Sequence, residues 1–284
     1  MALLAMTRRM GAVLIALSGL GLTALPASAA DMSFDATYRV SISGLELGQA
    51  VVSGQFDGAD YRIDGRGKLT GLAGALMEYK GSASAAGRLG RGGTLPSAFS
   101  VDATDGKKMT KVRMTLVGDN VRRIALEPPL RESEHPARVA VTESHKRGII
   151  DPMSALMILG AMGDGQLDPS VCKRTFPVFN GRERFDIVLA YKERREISEP
   201  GYRGPAVVCE ARYRPISGHR SDKDEVKYFA SRAAEVIYVP VPGADLALPY
   251  RLSVPTPIGT GSIVMTALKA EGALRTKAAS LTGR

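Results

Sequence analysis

From Phe34 to Ile42 the chain alternates without a break. Phe34, Ala36, Tyr38, Val40 and Ile42 share one face, and Asp35, Thr37, Arg39 and Ser41 share the other. A period of two describes a half-buried strand and is incompatible with a helix, whose apolar stripe repeats every three to four residues. The pattern recurs. Ser43-Gly44 and Leu45-Glu46-Leu47-Gly48 lead into a second strand over Gln49–Phe56, and Asp57-Gly58 into a third over Tyr61–Leu69. Gly65 and Gly67 fall on the face of Tyr61, Ile63 and Leu69, which calls for a close packing partner or a sharply curved sheet. Leu72–Met77 suits a helical turn. Strands follow near Glu78–Leu89, Ser97–Ala103, Lys108–Val117 and Val121–Leu126, the last two joined by the hairpin signal Gly118-Asp119-Asn120.

Pro128-Pro129 ends this meander, and residues 130–148 are polar and weakly patterned, as in a surface connection. Asp151-Pro152 then supplies an N-cap and a first-turn proline, so a helix is expected over Met153–Met162, buried against the sheet and stopped by Gly163-Asp164-Gly165. Between Cys172 and Cys209, Phe176–Phe179 and Phe185–Tyr191 read as strands around Asn180-Gly181, and Ala206–Tyr213 as a third. Further strands are expected near Ala234–Pro240, Tyr250–Pro255 and Gly261–Leu268. The sum is one mostly antiparallel β domain over residues 31–270 with one main helix, followed by a basic tail, residues 271–284, that is expected to be disordered.

The first thirty residues read as a cleaved signal peptide. Arg8 and Arg9 precede the uncharged apolar run Gly11–Leu25, and Ala27-Ser28-Ala29 supplies the small-x-small cleavage pattern. The run is shorter than the roughly 20 residues that a spanning helix needs, and nothing after residue 31 approaches a membrane span. A periplasmic location follows as the expectation, and it decides how the only two cysteines are read: in an oxidising compartment Cys172 and Cys209 pair. Closing that loop restricts the unfolded chain by about 4 kcal/mol in the entropic picture. The spacing is unlike a C-x-x-C redox pair. His135, His145 and His219 show no ligand spacing relative to either cysteine, so no metal is expected.

The formal charge is +9; residues 1–30 hold two arginines and no acid, which leaves +7 after cleavage. Such a charge suits solubility or association with anionic envelope components. Basic residues are interleaved with acids and no nucleic-acid-binding motif is present, so nucleic acid is not an expected partner. The chain lacks tryptophan and has few aromatics, which argues against a sugar-binding or base-stacking surface.

Four short motifs carry a resemblance: Tyr38-Arg-Val-Ser-Ile-Ser-Gly-Leu-Glu-Leu-Gly48, Asp151-Pro-Met-Ser154-Ala-Leu, Phe179-Asn-Gly-Arg-Glu-Arg-Phe185 and Leu248-Pro-Tyr-Arg251. Over about residues 33–270 the chain resembles the exported proteobacterial family called domain of unknown function 3108. Its cysteine segment, with Tyr213-Arg-Pro-Ile-Ser-Gly-His219 after Cys209, resembles the alphaproteobacterial members. The resemblance implies a fold and no activity. By analogy such exported proteins are similar in shape to lipoprotein carriers, which implies a strongly curved antiparallel sheet, an incomplete barrel or β-spiral, around an apolar interior.

Catalytic signatures are missing. There is no G-x-S-x-G elbow, P-loop or H-E-x-x-H, and Gly65-Arg-Gly67-Lys-Leu-Thr-Gly71 reads as strand glycines. Three features admit two readings each. His219, in Ser217-Gly218-His219-Arg220, suits a general base or, more simply, a turn histidine on the backbone. Arg182 and Arg184 at the Asn180-Gly181 tip suit anion binding or a solvated turn with local ion pairs. Met153, Met157 and Met162 suit an adaptable cavity or plain core. No catalytic, cofactor or metal residue is assigned.

The expectation is therefore a non-enzymatic cell-envelope protein that holds a lipid or other apolar ligand inside a curved sheet. Its candidate lining is Phe34, Tyr38, Val40, Met153, Leu156 and Met157. The alternative is an interaction or structural module that binds envelope partners through a basic surface. The first requires a sizeable cavity; the second does not.

Overall fold

A computed structural model of the chain describes residues 31–274, except residue 77 and residues 91–92, 130–134 and 164–165. The leader assigned to residues 1–30 and the tail beyond residue 274 lie outside the described residues. The first meander consists of β1 (Met32–Ile42), β2 (Leu45–Asp57), β3 (Asp60–Leu69), a short helix α1 (Gly71–Leu76), β4 (Lys80–Gly90), β5 (Gly93–Thr104), β6 (Met109–Val117) and β7 (Asn120–Glu127). A crossing segment carries three two-residue strands, β8 (Ile158–Leu159), β9 (Met162–Gly163) and β10 (Gln166–Leu167). The second meander is β11 (Thr175–Phe179), β12 (Arg184–Glu199), β13 (Tyr202–Ser217), helix α2 (Asp224–Ser231), β14 (Ala233–Pro240), β15 (Leu246–Thr256) and β16 (Gly259–Gly272). Alternating stretches of the sequence form the long strands.

The two meanders share one antiparallel sheet of 14 strands in the order β11-β12-β13-β14-β15-β16-β1-β2-β3-β4-β5-β6-β7, with β8 added beside β15. The join between them is the pairing of β1 with β16, so the first and last long strands meet in the middle of the sheet. Six of the ladders are interrupted by register shifts, among them one opposite Thr37/Tyr38, where β16 carries the extra residue Thr266, and one opposite Ile237/Tyr238, where β15 carries the extra residue Tyr250. Each such bulge adds local twist and bends the strand. The accumulated curvature brings the two edges together. A Cβ on Gly181, just past β11, would lie 2.7 Å from Val112 of β6, and Arg182 donates to the carbonyl of Pro128 beyond β7 at 2.9 Å. Ile149 and Ile150 run between the edges: Ile149 donates to Asp119, and Ile150 exchanges 2.9 Å hydrogen bonds with Pro177 and Phe179. The sheet is thus a barrel whose edges are bridged by a strap of chain rather than by a ladder.

The interior holds Phe34, Phe56, Tyr61, Ile63, Met114, Leu248 and Tyr250. Two glycines on inward faces show why the strands carry them. A Cβ on Gly54 would overlap the Phe34 ring, and one on Gly65 would sit 2.9 Å from Met153 Cε. The close partner expected at Gly65 is thus Met153. A second apolar cluster forms on the other face of β12–β15, under the crossing segment. Consequently Ala206, Val207, Val208 and Cys209 are all buried in one strand, with alternate residues serving the two clusters.

Two expectations are corrected. The helix over Met153–Met162 is a single 3-10 turn, Ser154–Leu156, after which Met157 is extended and Ile158–Leu159 pairs with Leu246–Ala247. The start signal operates, because Asp151 accepts from the amides of Met153 and Ser154 at 2.9 Å. The length differs because a ten-residue apolar run fits a buried strand as well as a helix; here a sheet edge and the left-handed Gly160 (φ +62°) select the extended form. The second correction concerns the end of the domain at residue 270. Strand β16 continues to Gly272, which pairs with Met32, and Leu274 is buried.

Candidate functional cleft

Leu189 and Ala211 are opposed across β12 and β13, and Val236 and Leu252 across β14 and β15. Together with Phe176, Ile187 and Tyr238 they form a broad apolar wall. Tyr38, Ala50 and Val52 of β1 and β2 face it, and the turn residues Pro152, Ala155 and Leu156 close one side. Helix α2 crosses the opening. Its Val226 and Phe229, three residues apart and therefore on one helical face, complete an open-sided cleft of about 700 Å³. Polar side chains are few and include Glu183, Glu225 and Arg232.

The hydroxyls of the wall have internal partners or are held neutral. Tyr38 donates to the Pro249 carbonyl at 3.0 Å, and burial pushes its phenol well above the ordinary range. Burial raises Tyr238 likewise, against the opposing pull of the Arg174 guanidinium. Arg174 in turn donates to the Leu159 carbonyl at 2.9 Å, so the crossing segment is tied down beside the wall. The Cys172–Cys209 disulfide, with Cα atoms 5.4 Å apart, fixes the 3-10 turn Pro169–Cys172 to β13 on this same part of the sheet.

Of the six residues expected to line an apolar ligand site, Tyr38 and Leu156 are on the wall of this cleft. Phe34 instead packs against Phe56 with ring centroids 6.2 Å apart, and Met153 fills the space above Gly65. Met157 is buried in the interior cluster. Val40 is half-buried, and its β16 partner Ile263 reaches the cleft where Val40 does not. The helix that would have placed Met153, Leu156 and Met157 on one face does not form, and that is why they part company. Sequence reading missed α2 altogether, although Val226 and Phe229 at helical spacing between Asp224 and Ser231 were its signal.

Asp151, fully buried, is the main ionisable group of the interior. Beyond its two amide contacts it accepts from Ser154 Oγ at 2.5 Å, and Ser154 Oγ lies 2.7 Å from the Tyr61 hydroxyl. Desolvation raises the Asp151 carboxyl above its usual range, opposed by those hydrogen bonds. These partners are themselves buried, so the network supports the turn rather than presenting a reactive group.

The other two features meet at a junction away from this network. At the Asn180 tip, Asn180 Oδ1 accepts from the amides of Arg182 and Glu183 at 2.9 and 2.8 Å, and Arg184 pairs with Asp186 at 2.6 Å. His219 is 7% exposed, and its carbonyl accepts from the Val139 amide. Among the described residues no group of three or more His, Cys, Asp or Glu is placed to hold a metal.

Among solved structures, the chain is similar to the crystal structure of a β-barrel-like protein of domain of unknown function DUF1849 from Brucella abortus. They share 8% identity and a TM-score of 0.48, over 85% of this chain and 99% of that one. A search of curated proteins found no match. Residues 34–267 match the family model described as Protein of unknown function (DUF3108). That span takes in both meanders and the cleft between them, and the chain belongs to the DUF3108 family.

Proposed function

We propose that this protein is a non-enzymatic component of the periplasmic cell envelope that binds a lipid or another apolar ligand in the cleft beneath α2. The observation that carries this reading is the cleft itself. Its volume of about 700 Å³ falls within the roughly 300–1,000 Å³ of small-molecule sites. Its lining is almost wholly aliphatic and aromatic, and nothing in it supplies a nucleophile beside a base. A folded chain leaves such a surface uncovered at a cost that an apolar occupant removes, at about 25 cal/mol per Å². Export fits this role, since the paired cysteines suit an oxidising compartment.

The test is binding of an apolar fluorescent probe, displaced by fatty acid or phospholipid. Leu252→Glu, at a half-buried position of the wall, places a charge in the cleft without emptying the core. Probe affinity is expected to fall at least tenfold in that variant. Failure of the parent protein to bind the probe, or equal binding by the Leu252→Glu variant, contradicts the reading.

A further inference from the structure

Three segments distant in sequence pack together at the end of the β12–β13 hairpin opposite its tight turn. Gly218 donates to the Val139 carbonyl at 2.8 Å, and Val139 donates to the His219 carbonyl at 3.0 Å. The Arg138 guanidinium donates to the Gly218 carbonyl. On the other side a Cβ on Gly218 would overlap the Arg182 carbonyl, so only glycine lets β13 and the Asn180 tip approach this closely; its φ of +86° makes the same demand. Residues 138–139, 182–183 and 217–219 thus form one junction.

Four buried polar atoms of this junction have no partner among the described residues: Arg138 Nε, Arg182 Nε, Ser217 Oγ and His219 Nδ1. Ser217 is fully buried and His219 is more than nine-tenths buried. Two of the four are cationic donors, the serine hydroxyl can donate, and the histidine nitrogen donates in one tautomer and in the protonated ring. Among the described residues neither Arg138 nor Arg182 forms an ion pair with a carboxylate, although nearby Arg184 and Arg220 pair with Asp186 and Asp222. Arg138 donates to the Gly218 carbonyl and Arg182 to that of Pro128, and these bonds fix each guanidinium without neutralising it. Both arginines are half-buried with Nε enclosed, and unmet donors at buried atoms are costly and uncommon in folded proteins. A single oxyanion answers charge and donors alike, because it carries the missing charge and accepts from several donors at once.

We propose that the junction of Arg138, Arg182, Ser217 and His219 binds a tetrahedral oxyanion of the phosphate type. None of these four residues lines the apolar cleft, although Glu183 beside them does, and the site stands whether or not the cleft holds a ligand. Two sources supply such a group in an envelope, free phosphate and the phosphodiester of a lipid headgroup.

Thermal melting in chloride buffer at constant ionic strength, titrated with inorganic phosphate, tests the site; sedimentation with phosphatidylglycerol vesicles, against phosphatidylcholine vesicles, tests the second source. Ser217→Ala removes a hydroxyl that bonds to no described residue, so that variant folds. Arg138→Lys keeps the charge and removes Nε. A saturable phosphate-dependent rise in Tm, weakened at least tenfold in both variants, supports the site with free phosphate as the ligand. Binding to phosphatidylglycerol alone, weakened likewise, supports it with the headgroup as the ligand. The proposal is overturned if neither phosphate nor phosphatidylglycerol binds, or if either binds both variants as tightly as the parent protein; buried water would then satisfy these atoms.

Discussion

Asp151 shows how one side chain can be read correctly from sequence while its setting is not. As an Asp before a proline it announces an N-cap, and it caps Met153 and Ser154. The sequence carries no sign that Tyr61, 93 residues before Ser154, would close over it and leave the carboxyl without water. Its folded-state pKa is raised by desolvation. The proton therefore binds the folded state more tightly, so stability is greatest below the ordinary carboxylate value of about 3.9 and is lost as pH rises through the folded value. Asp151→Asn keeps the amide acceptor and removes the charge. Its Tm is expected to exceed that of the parent protein at pH 8, with the gap closing towards pH 4 in a series of melts. Asp151→Ala, which orphans two amides and a hydroxyl, is expected to lose about 2 kcal/mol in denaturant titration.

Among elements, the long strands and their tight turns were legible, and the crossing segment and α2 were not. Alternation survives in β1, β3 and β6 because each has one buried face, and it marks their boundaries to within about two residues. It fails at Met153–Met162, where the run is apolar on most sides and the decision falls to the pairing of Ile158–Leu159 with Leu246–Ala247. That tertiary contact has no local signal. The covalent link that follows it did have one: Cys172 and Cys209 are the only cysteines, and their bridge staples the crossing segment to the second apolar cluster. Cys209→Ser is expected to lower stability by about 3 kcal/mol, measured as the denaturation midpoint against the oxidised parent; an unchanged midpoint would show that the bridge is not structural. Helix α2 makes a different prediction. Phe229 is half-buried and lies over the cleft, so Phe229→Ser is expected to change stability by no more than about 1 kcal/mol while weakening apolar-probe binding several-fold.

At the scale of the whole molecule, two meanders joined through β1 and β16 curl until a strap of chain bridges their edges, and the curl defines the cleft. The candidate lining was only partly legible for this reason. Phe34, Tyr38 and Val40 share one face of β1, yet Phe34 packs on Phe56, Tyr38 reaches the cleft and Val40 does not. Sequence alternation reports which residues face inward, but the tertiary neighbours met at each point along the strand decide between packed core and open cleft. The central claim is that the cleft takes an apolar occupant. Native mass spectrometry of the protein purified from a periplasm, followed by organic extraction, tests it most directly. A reproducible co-purified apolar species, lost from the Leu252→Glu variant, is the expected result. An empty parent protein that also fails to take up added fatty acid or phospholipid would contradict it.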